Sequence, residues 1–561
     1  MNTKKGISIN SNYYTILKRN KWSSGGGSVI KLRYLALGQQ TAMAIPVKKI
    51  FISDAVHESC AELLRDAGFE VEQKTKLTEE QLIKEIQDVE ALIVRSETKV
   101  KNSVLNSAPK LRVVGRAGTG VDNIDVEAAT KKGIIVLNTP GGNSISACEL
   151  TCALVVALAR NVPSGCQSLK EGRWDRKLYT GEELLGKTLA VLGLGRIGRE
   201  VASRMKAFGM RIIGFDPIVS AESAAALGID KMDLPEIWPL ADYITVHTPL
   251  IPQTKNLINE DSLNKCKPGV KVINVARGGI VDEKALLEAL KDGRCGGAAI
   301  DVFTEEPPKS EWLLEFIKHP KVIATPHLGA STVEAQTRVA VEIAEQLISI
   351  AKPGEGLAGV VNAPVLNDLR VASNTAWINL GRDLGNLVGR LYKQEPLGGM
   401  KIDIITTGVE ALRFMKTAVC AGLMSGRTEN GLNLINALFL AEEAGVLVTQ
   451  AHQDKMSEPS VSIVVSGKNP HKVSGTIRGG ESWLLSIDDA NFSAGVLLNS
   501  NSLIFEGTKA NVDCPNVIGA LVKNSIVVTN MAVARGKKAV WIVVQVLEKS
   551  NIPKIDGLNA F

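Results

Sequence analysis

Cysteine is scarce in this chain: eight in 561 residues, and no pair with Cys-x-x-Cys spacing. Cys148 and Cys152 stand four apart on an expected helix, with no histidine near them in sequence to complete a metal site. A disulfide framework and a zinc centre are therefore excluded as organising features, and a reducing compartment is expected. No stretch approaches the ~18 consecutive apolar residues needed to span a bilayer, which excludes an integral membrane protein. The lack of any short repeat excludes collagen-like, coiled-coil and low-complexity classes. Acid is missing from one place only. Residues 1–42 carry seven cations (Lys4, Lys5, Lys18, Arg19, Lys21, Lys31, Arg33) and no Asp or Glu. Removing those seven from the net charge of +6 leaves the rest near −1, so nothing supports a basic stripe for nucleic acid.

What is present is ordinary for a folded soluble protein: 45% apolar and 22% charged residues. At about 100–200 residues per domain, the length corresponds to three or four domains. Residues 1–46 read as a basic leader, disordered around Ser24-Gly-Gly-Gly-Ser28. It is either an organelle presequence or a dispensable segment ahead of an internal start at Met43. The second fits better, because no amphipathic Arg face is visible and Met43-Ala-Ile-Pro-Val runs straight into a first strand. A cytoplasmic protein is expected.

From residue 48, strands and helices alternate, as in parallel sheets built from βαβ units. Strands are expected at Lys49–Ser53, Val89–Arg95, Val113–Arg116 and Ile134–Asn138, then a long apolar helix at Ser144–Ala159. A second run begins at Thr188–Leu192 and continues through a helix at Arg199–Phe208. Its further strands are Arg211–Phe215, Tyr243–His247, Val270–Asn274, Gly297–Asp301 and Val322–Thr325. It is complete enough for one doubly wound domain. Pro353-Gly-Glu-Gly marks a boundary. Beyond it, helices near Trp377–Leu391 and Leu432–Ala444 alternate with strands near Lys401–Thr407 and Ser460–Ser466, and residues 500–561 read β-α-β-β.

Gly193-Leu-Gly195-Arg-Ile-Gly198 follows a strand and opens a helix. Gly193 permits the tight turn, Gly195 a close approach of backbone to a pyrophosphate, and Gly198 close helix–strand packing. Asp216, 18 residues after the last glycine, ends the next strand. Its carboxylate can accept from ribose hydroxyls and repels a 2′-phosphate, so NAD is expected rather than NADP. Arg277, Glu306 and His327 each follow a strand of this second run. Ligands of such sheets bind at the carboxyl ends of strands. An arginine there clamps a carboxylate or carbonyl. A histidine takes a hydroxyl proton as hydride leaves, and a carboxylate beside it orients it. His57, His319, His452 and His471 are isolated, and His247 reads as structural.

The glycine fingerprint, Asn274-Val-Ala-Arg-Gly-Gly279 and Pro326-His-Leu-Gly-Ala-Ser-Thr332 together resemble the D-isomer-specific 2-hydroxyacid dehydrogenases, over about residues 47–362. Val94-Arg-Ser-Glu-Thr-Lys99 and Val114-Gly-Arg-Ala-Gly-Thr-Gly-Val-Asp-Asn123 resemble the branch of that family acting on 3-phosphoglycerate. The resemblance implies an α/β fold of two Rossmann-like parallel-sheet domains. A discontinuous substrate domain (47–140 and 329–362) receives an inserted NAD domain (141–328). It implies catalysis by Arg277, Glu306 and His327. It places cofactor contacts at Thr119, Gly193, Gly195, Arg196, Ile197, Gly198, Asp216, Thr248, Val275, Asp301, Gly329 and Ala330. Phosphate contacts fall on Arg95, Ser96, Lys99 and Arg116. Arg176 (or Arg173) is expected to reach a neighbouring subunit's site in a homodimer or homotetramer. The C-terminal third resembles the α+β regulatory domains of the longer form: an intervening domain at 363–500, carrying Leu432–Ala437 and Leu440–Gly445, and an ACT-like module at 501–561. That module reads Asp513-Cys-Pro-Asn516 where a Gly is usual in place of Asn516, which withholds any expectation of serine binding.

The implied reaction is NAD-dependent oxidation of the small-molecule substrate 3-phospho-D-glycerate to 3-phosphohydroxypyruvate, the first step of L-serine synthesis. Two alternatives share the fold: a glyoxylate or hydroxypyruvate reductase, which needs no phosphate grip, and an NAD-sensing corepressor-like binding protein, which keeps the triad without turnover.

Overall fold

The computed structural model describes residues 45–352, 356–409, 412–428, 431–454, 458–467, 469–498, 501–508, 514–548, 555 and 558–561. The expected leader up to residue 44, the boundary residues 353–355 and Asp513 of the C-terminal turn lie outside the described residues.

The first lobe is a five-stranded parallel sheet. Its strands Lys49–Ile52, Glu70–Gln73, Ala91–Val94, Val113–Arg116 and Ile135–Leu137 lie in the order 2-1-3-4-5. Ala91–Val94 is buried along its whole length, which is why it reads as an unbroken apolar run. The helix Val333–Ala351, far along the chain, lays Ala340, Ile343, Ala344 and Leu347 on this sheet. Its N-cap Thr332 accepts from the Ala335 amide at 3.1 Å. At its other end, buried Arg370 donates to the carbonyls of Ile350 (3.0 Å), Ser349 (2.7 Å) and Lys352 (2.7 Å), covering the negative end of the helix dipole.

The second lobe is a seven-stranded parallel sheet beginning at Thr188–Leu192. Counted within the lobe, its order is 3-2-1-4-5-6-7, so the switch point falls between Thr188–Leu192 and Tyr243–Val246. The helix after the first strand runs Arg196–Ala207, three residues earlier than the sequence reading places it. Gly195 is its extended N-cap, so Gly198 sits inside the first turn. Helix Ser144–Ala159 contributes Cys148, Leu154, Val155 and Leu158 to this lobe's core. Ser146 near its start meets Thr332 at 2.8 Å, beside the helix of the first lobe.

The C-terminal third holds a six-stranded mixed sheet and a four-stranded antiparallel one. In the first, Leu380, Leu384 and Leu387 of helix Thr375–Leu391 pack with Ile402, Ile404, Val461 and Ile463. The sequence reading misses strands Leu447–Gln453, His471–Arg478, Glu481–Ile487 and Ala490–Leu497, and helix Met415–Leu423. Leu447–Gln453 buries only Val448, and His471–Arg478 carries Gly475 and Thr476 at buried positions, which flattens the period-2 signal. The final segment has the expected β-α-β-β and one strand more, Leu558–Ala560, beside Ser502–Gly507. The turn leading into helix Ala437–Glu443 grips the first lobe: Asn433 Nδ2 donates to Gly133 O at 3.0 Å and the N-cap Asn436 Nδ2 to Lys131 O at 3.1 Å.

Candidate active site

Strands Cys295–Ile300 and Val322–Ala324 pair in parallel and end side by side. Asp301, fully buried at the first end, organises the loop at the second. It accepts from Thr325 Oγ1 at 2.6 Å, Leu328 N at 2.7 Å and Gly329 N at 2.9 Å, and its carbonyl accepts from His327 N at 2.9 Å. These bonds hold His327 at φ 54°, a left-handed conformation costing about 1–3 kcal/mol for a non-glycine residue. His327 Nδ1 lies 2.8 Å from Glu306 Oε2, so Nδ1 carries the proton the carboxylate accepts and Nε2 is left for the cavity. Glu306 Oε1 takes the Phe303 amide at 2.9 Å. Burial pushes the Glu306 carboxyl up, but His327 and the Phe303 amide outweigh it and keep it below the ordinary range. Buried Glu283, absent from the sequence reading, supports the same loop through Thr304 N (2.8 Å) and Thr304 Oγ1 (2.5 Å).

Arg277 follows strand Val270–Asn274. Asn274 folds the turn, accepting from Ala276 N at 3.0 Å and donating to Arg277 O at 2.8 Å. The Arg277 guanidinium donates through Nε to Asp122 Oδ2 of the first lobe at 2.8 Å. Arg95 and Arg116 end two adjacent strands of that lobe. Burial, reinforced by Arg277, presses the Arg116 guanidinium down to about 10, and burial lowers Arg95 as well. Three cations thus converge on one cavity of about 620 Å³, which Ser96, Thr119, Glu306, His327 and Ala330 also line. Arg95 Nε is buried without a partner among the described residues, a donor waiting for an acceptor. Arg95 Nη1 donates to Gln336 Oε1, and Gln336 Nε2 to Ala330 O at 2.8 Å, which ties the arginine to the histidine loop. Asp54, also missed, shapes the Arg95 loop by accepting from Arg95 N at 2.5 Å and Thr98 N at 3.2 Å. Lys99 does not join them. It lines a separate cleft with Lys76, Thr78 and Lys101, because the Asp54 bonds turn the loop after Glu97 away from the cavity.

On the cofactor side, Gly193 has φ 101°, and a Cβ there would lie 2.5 Å from His247 O. A Cβ on Gly198 would lie 2.0 Å from Gly193 O, whereas one on Gly195 would meet nothing within 4 Å. The last is the room a pyrophosphate needs above the helix N-terminus formed by Arg196 and Ile197. Asp216 Oδ2 accepts from Leu194 N (2.9 Å), and Oδ1 from Ile218 N (2.8 Å) and Val219 N (3.1 Å). Burial raises its carboxyl, but these amides prevail and keep it lowered, hence anionic, with capacity on Oδ2 for a hydroxyl. Thr248 Oγ1 is buried with no partner among the described residues, and it lies next to His247, whose burial lowers the imidazole to about 3 and keeps it neutral. Val275 is buried and would sit 3.2 Å from a Cβ on Gly329. Asp301 is fully buried and organises the histidine loop, with Oδ1 accepting twice and Oδ2 once, from Gly329 N, which leaves Oδ2 capacity for one further donor. Thr119 Oγ1 donates to Asn143 Oδ1 at 2.6 Å at the lobe junction. Arg176 is exposed and outside this cavity, and Arg173 is held by Glu171 and Asp175.

The missed residues (Asp54, Asp122, Asn123, Glu283, Gln336) meet their partners only through the fold. The one available signal was that Asp122 and Asn123 fall inside a motif singled out for its arginine.

Residues 152–329 match the D-isomer specific 2-hydroxyacid dehydrogenase NAD-binding domain, and residues 374–487 the D-3-phosphoglycerate dehydrogenase intervening domain. The chain is 46% identical to a D-3-phosphoglycerate dehydrogenase of Rattus norvegicus, over 86% of this chain and 91% of that one. It is 40% identical to one of Bacillus subtilis, over 75% and 79%. Among solved structures, a glyoxylate reductase from Paecilomyes thermophila superposes with TM-score 0.51 at 28% identity, covering 56% of this chain and 99% of that one. The chain belongs to the D-3-phosphoglycerate dehydrogenase family of the D-isomer-specific 2-hydroxyacid dehydrogenases.

Proposed function

We infer that this member of the family oxidises 3-phospho-D-glycerate to 3-phosphohydroxypyruvate with NAD, the first step of L-serine synthesis. The observation that carries the substrate assignment is the meeting of Arg95, Arg116 and Arg277 on the cavity that also holds His327 and Glu306. A substrate with a phosphate at one end and a carboxylate at the other matches that charge. Gly193–Gly198, Asp216 and Thr248 are the residues that would hold NAD, which when bound would supply the acceptor for the hydride leaving C2. Arg277 binds the carboxylate and the oxygen that becomes carbonyl. Arg95 and Arg116 bind the phosphate. His327 Nε2 accepts the C2 hydroxyl proton, and Glu306 stabilises the imidazolium so formed. The reverse reduction uses the same groups.

A reductase of unphosphorylated hydroxy acids leaves Arg95 Nε without its acceptor, and a binding protein without turnover has no need of the Arg95 and Arg116 grip in the first lobe. The deciding experiment is NADH formation by protein starting at Met43, with 3-phosphoglycerate or glycerate and a trap for the keto product. Turnover that needs the phosphate supports the assignment. NAD binding without turnover overturns it.

Our reading of the assembly is a cytoplasmic homodimer or homotetramer, without nucleic-acid or membrane partners. Support for the dimer comes from Val162, Leu169, Trp174 and Leu178, exposed together on and after helix Val162–Lys170 of the cofactor lobe. Arg176 lies in the same segment and would enter the partner's site. We divide the chain at 47–140 with 329–362 for substrate, 141–328 for NAD, and 363–500 and 501–561 for regulation.

A further inference from the structure

Three arginines converge on the cavity, and a single loop of the first lobe aims them. Asn123 Oδ1 accepts from Arg116 Nε at 2.9 Å, while its Nδ2 donates to Arg95 O and to Thr98 O, both at 2.6 Å. One amide therefore crosslinks the two loops that carry the phosphate arginines. The residue before it, Asp122, accepts from Arg277 Nε at 2.8 Å. Arg277 Nη1 turns back to Ala276 O at 2.7 Å. Its Nη2 lies over Gly120, where a Cβ would come within 1.7 Å. With Nε and Nη1 engaged, Nη2 is the nitrogen presented to a ligand.

We propose, resting on the substrate assignment above, that Asp122 and Asn123 are positioning residues that divide the two ends of the substrate: Asn123 sets the phosphate arginines and Asp122 the carboxylate arginine. The chemistry at each position is specific. Residue 123 must accept once and donate twice, which asparagine does and aspartate cannot. Residue 122 must accept from a cation. Because Asp122 belongs to the first lobe and Arg277 to the second, the carboxylate site has its full shape only when the lobes stand as close as they do here.

The test uses the full chain and NADH to reduce 3-phosphohydroxypyruvate and hydroxypyruvate, comparing the ratio of their kcat/KM values. Asn123→Ala and the isosteric Asn123→Asp should lower that ratio at least about tenfold, through the KM of the phosphorylated substrate, with the KM for NADH unchanged. Asp122→Asn should lower kcat/KM at least about tenfold for both substrates, with the ratio within about twofold of wild type, and Asp122→Glu should recover part of the loss. Tm and NADH fluorescence report folding separately from these ratios. A wild-type ratio in both Asn123 variants overturns the proposal, as does an Asp122→Asn variant that shifts the ratio as far as they do. A wild-type enzyme with no preference for the phosphorylated keto acid overturns the substrate assignment instead.

Discussion

Glu306 holds His327 with one carboxylate oxygen, 2.8 Å from Nδ1, and the amide of Phe303 with the other. The carboxylate is thus fixed to the backbone of its own loop before it orients the imidazole. Glu306→Gln keeps the shape and removes the charge that stabilises imidazolium. It should lower kcat about 10- to 100-fold while leaving the KM for NAD near wild type. Steady-state kinetics at saturating NAD checks this. A kcat within about twofold of wild type removes Glu306 from the proton-transfer pair.

Arg95 Nε has no partner among the described residues and Nη1 is already tied to Gln336. Arg95→Ala should raise the KM for 3-phosphoglycerate about 10- to 100-fold, as expected for loss of a hydrogen bond to a charged group. Activity on the unphosphorylated analogue should not fall. An unchanged KM would remove the residue from the phosphate site.

Asp216 keeps an anionic carboxylate at the end of strand Arg211–Phe215. Asp216→Ser should weaken NAD about tenfold and narrow the preference over NADP, since the charge that repels a 2′-phosphate is gone. Initial rates with the two cofactors measure the preference directly. Retention of full NAD selectivity would place discrimination elsewhere.

Glu182 accepts from Tyr243 Oη at 2.5 Å and pairs with Lys271 and Lys187. Burial pushes its carboxyl up, but Lys271, Tyr243 and Lys187 outweigh it and bring it down to about 2. A lowered carboxyl adds stability above its unfolded pKa, near 4.3, and loses it as pH falls toward 2. The group is about a third exposed, so Glu182→Gln should cost only about 1 kcal/mol at pH 7. The difference in Tm from wild type should shrink between pH 4.5 and pH 2. A gap that widens over that range would contradict the assignment.

Much of this site is legible in the amino-acid sequence, and what escapes does so for a physical reason. The glycine turn, Asp216 and the strand-end positions of Arg277, Glu306 and His327 are local: each follows from a short pattern beside a strand. Asp54 meets Arg95 across 41 residues, Asp122 meets Arg277 across 155, and Gln336 meets Arg95 across 241. No periodicity encodes such pairs, because they exist only once two sheets and a returning helix have been assembled. Lys99 shows the opposite failure. Four residues from Arg95 in sequence, it faces another cleft, since Asp54 fixes the turn between them. Strand His471–Arg478 escapes because Gly and Thr stand at two of its three buried positions, where apolar residues would have marked it.

The left-handed backbone of His327 has a consequence for anyone moving this chemistry to another protein. A histidine grafted alone onto a strand end would relax to negative φ and point elsewhere. The transferable unit is Asp301 together with the turn it ties down, Thr325 through Gly329, so the acid that never touches the reacting atoms would have to travel with the base that does.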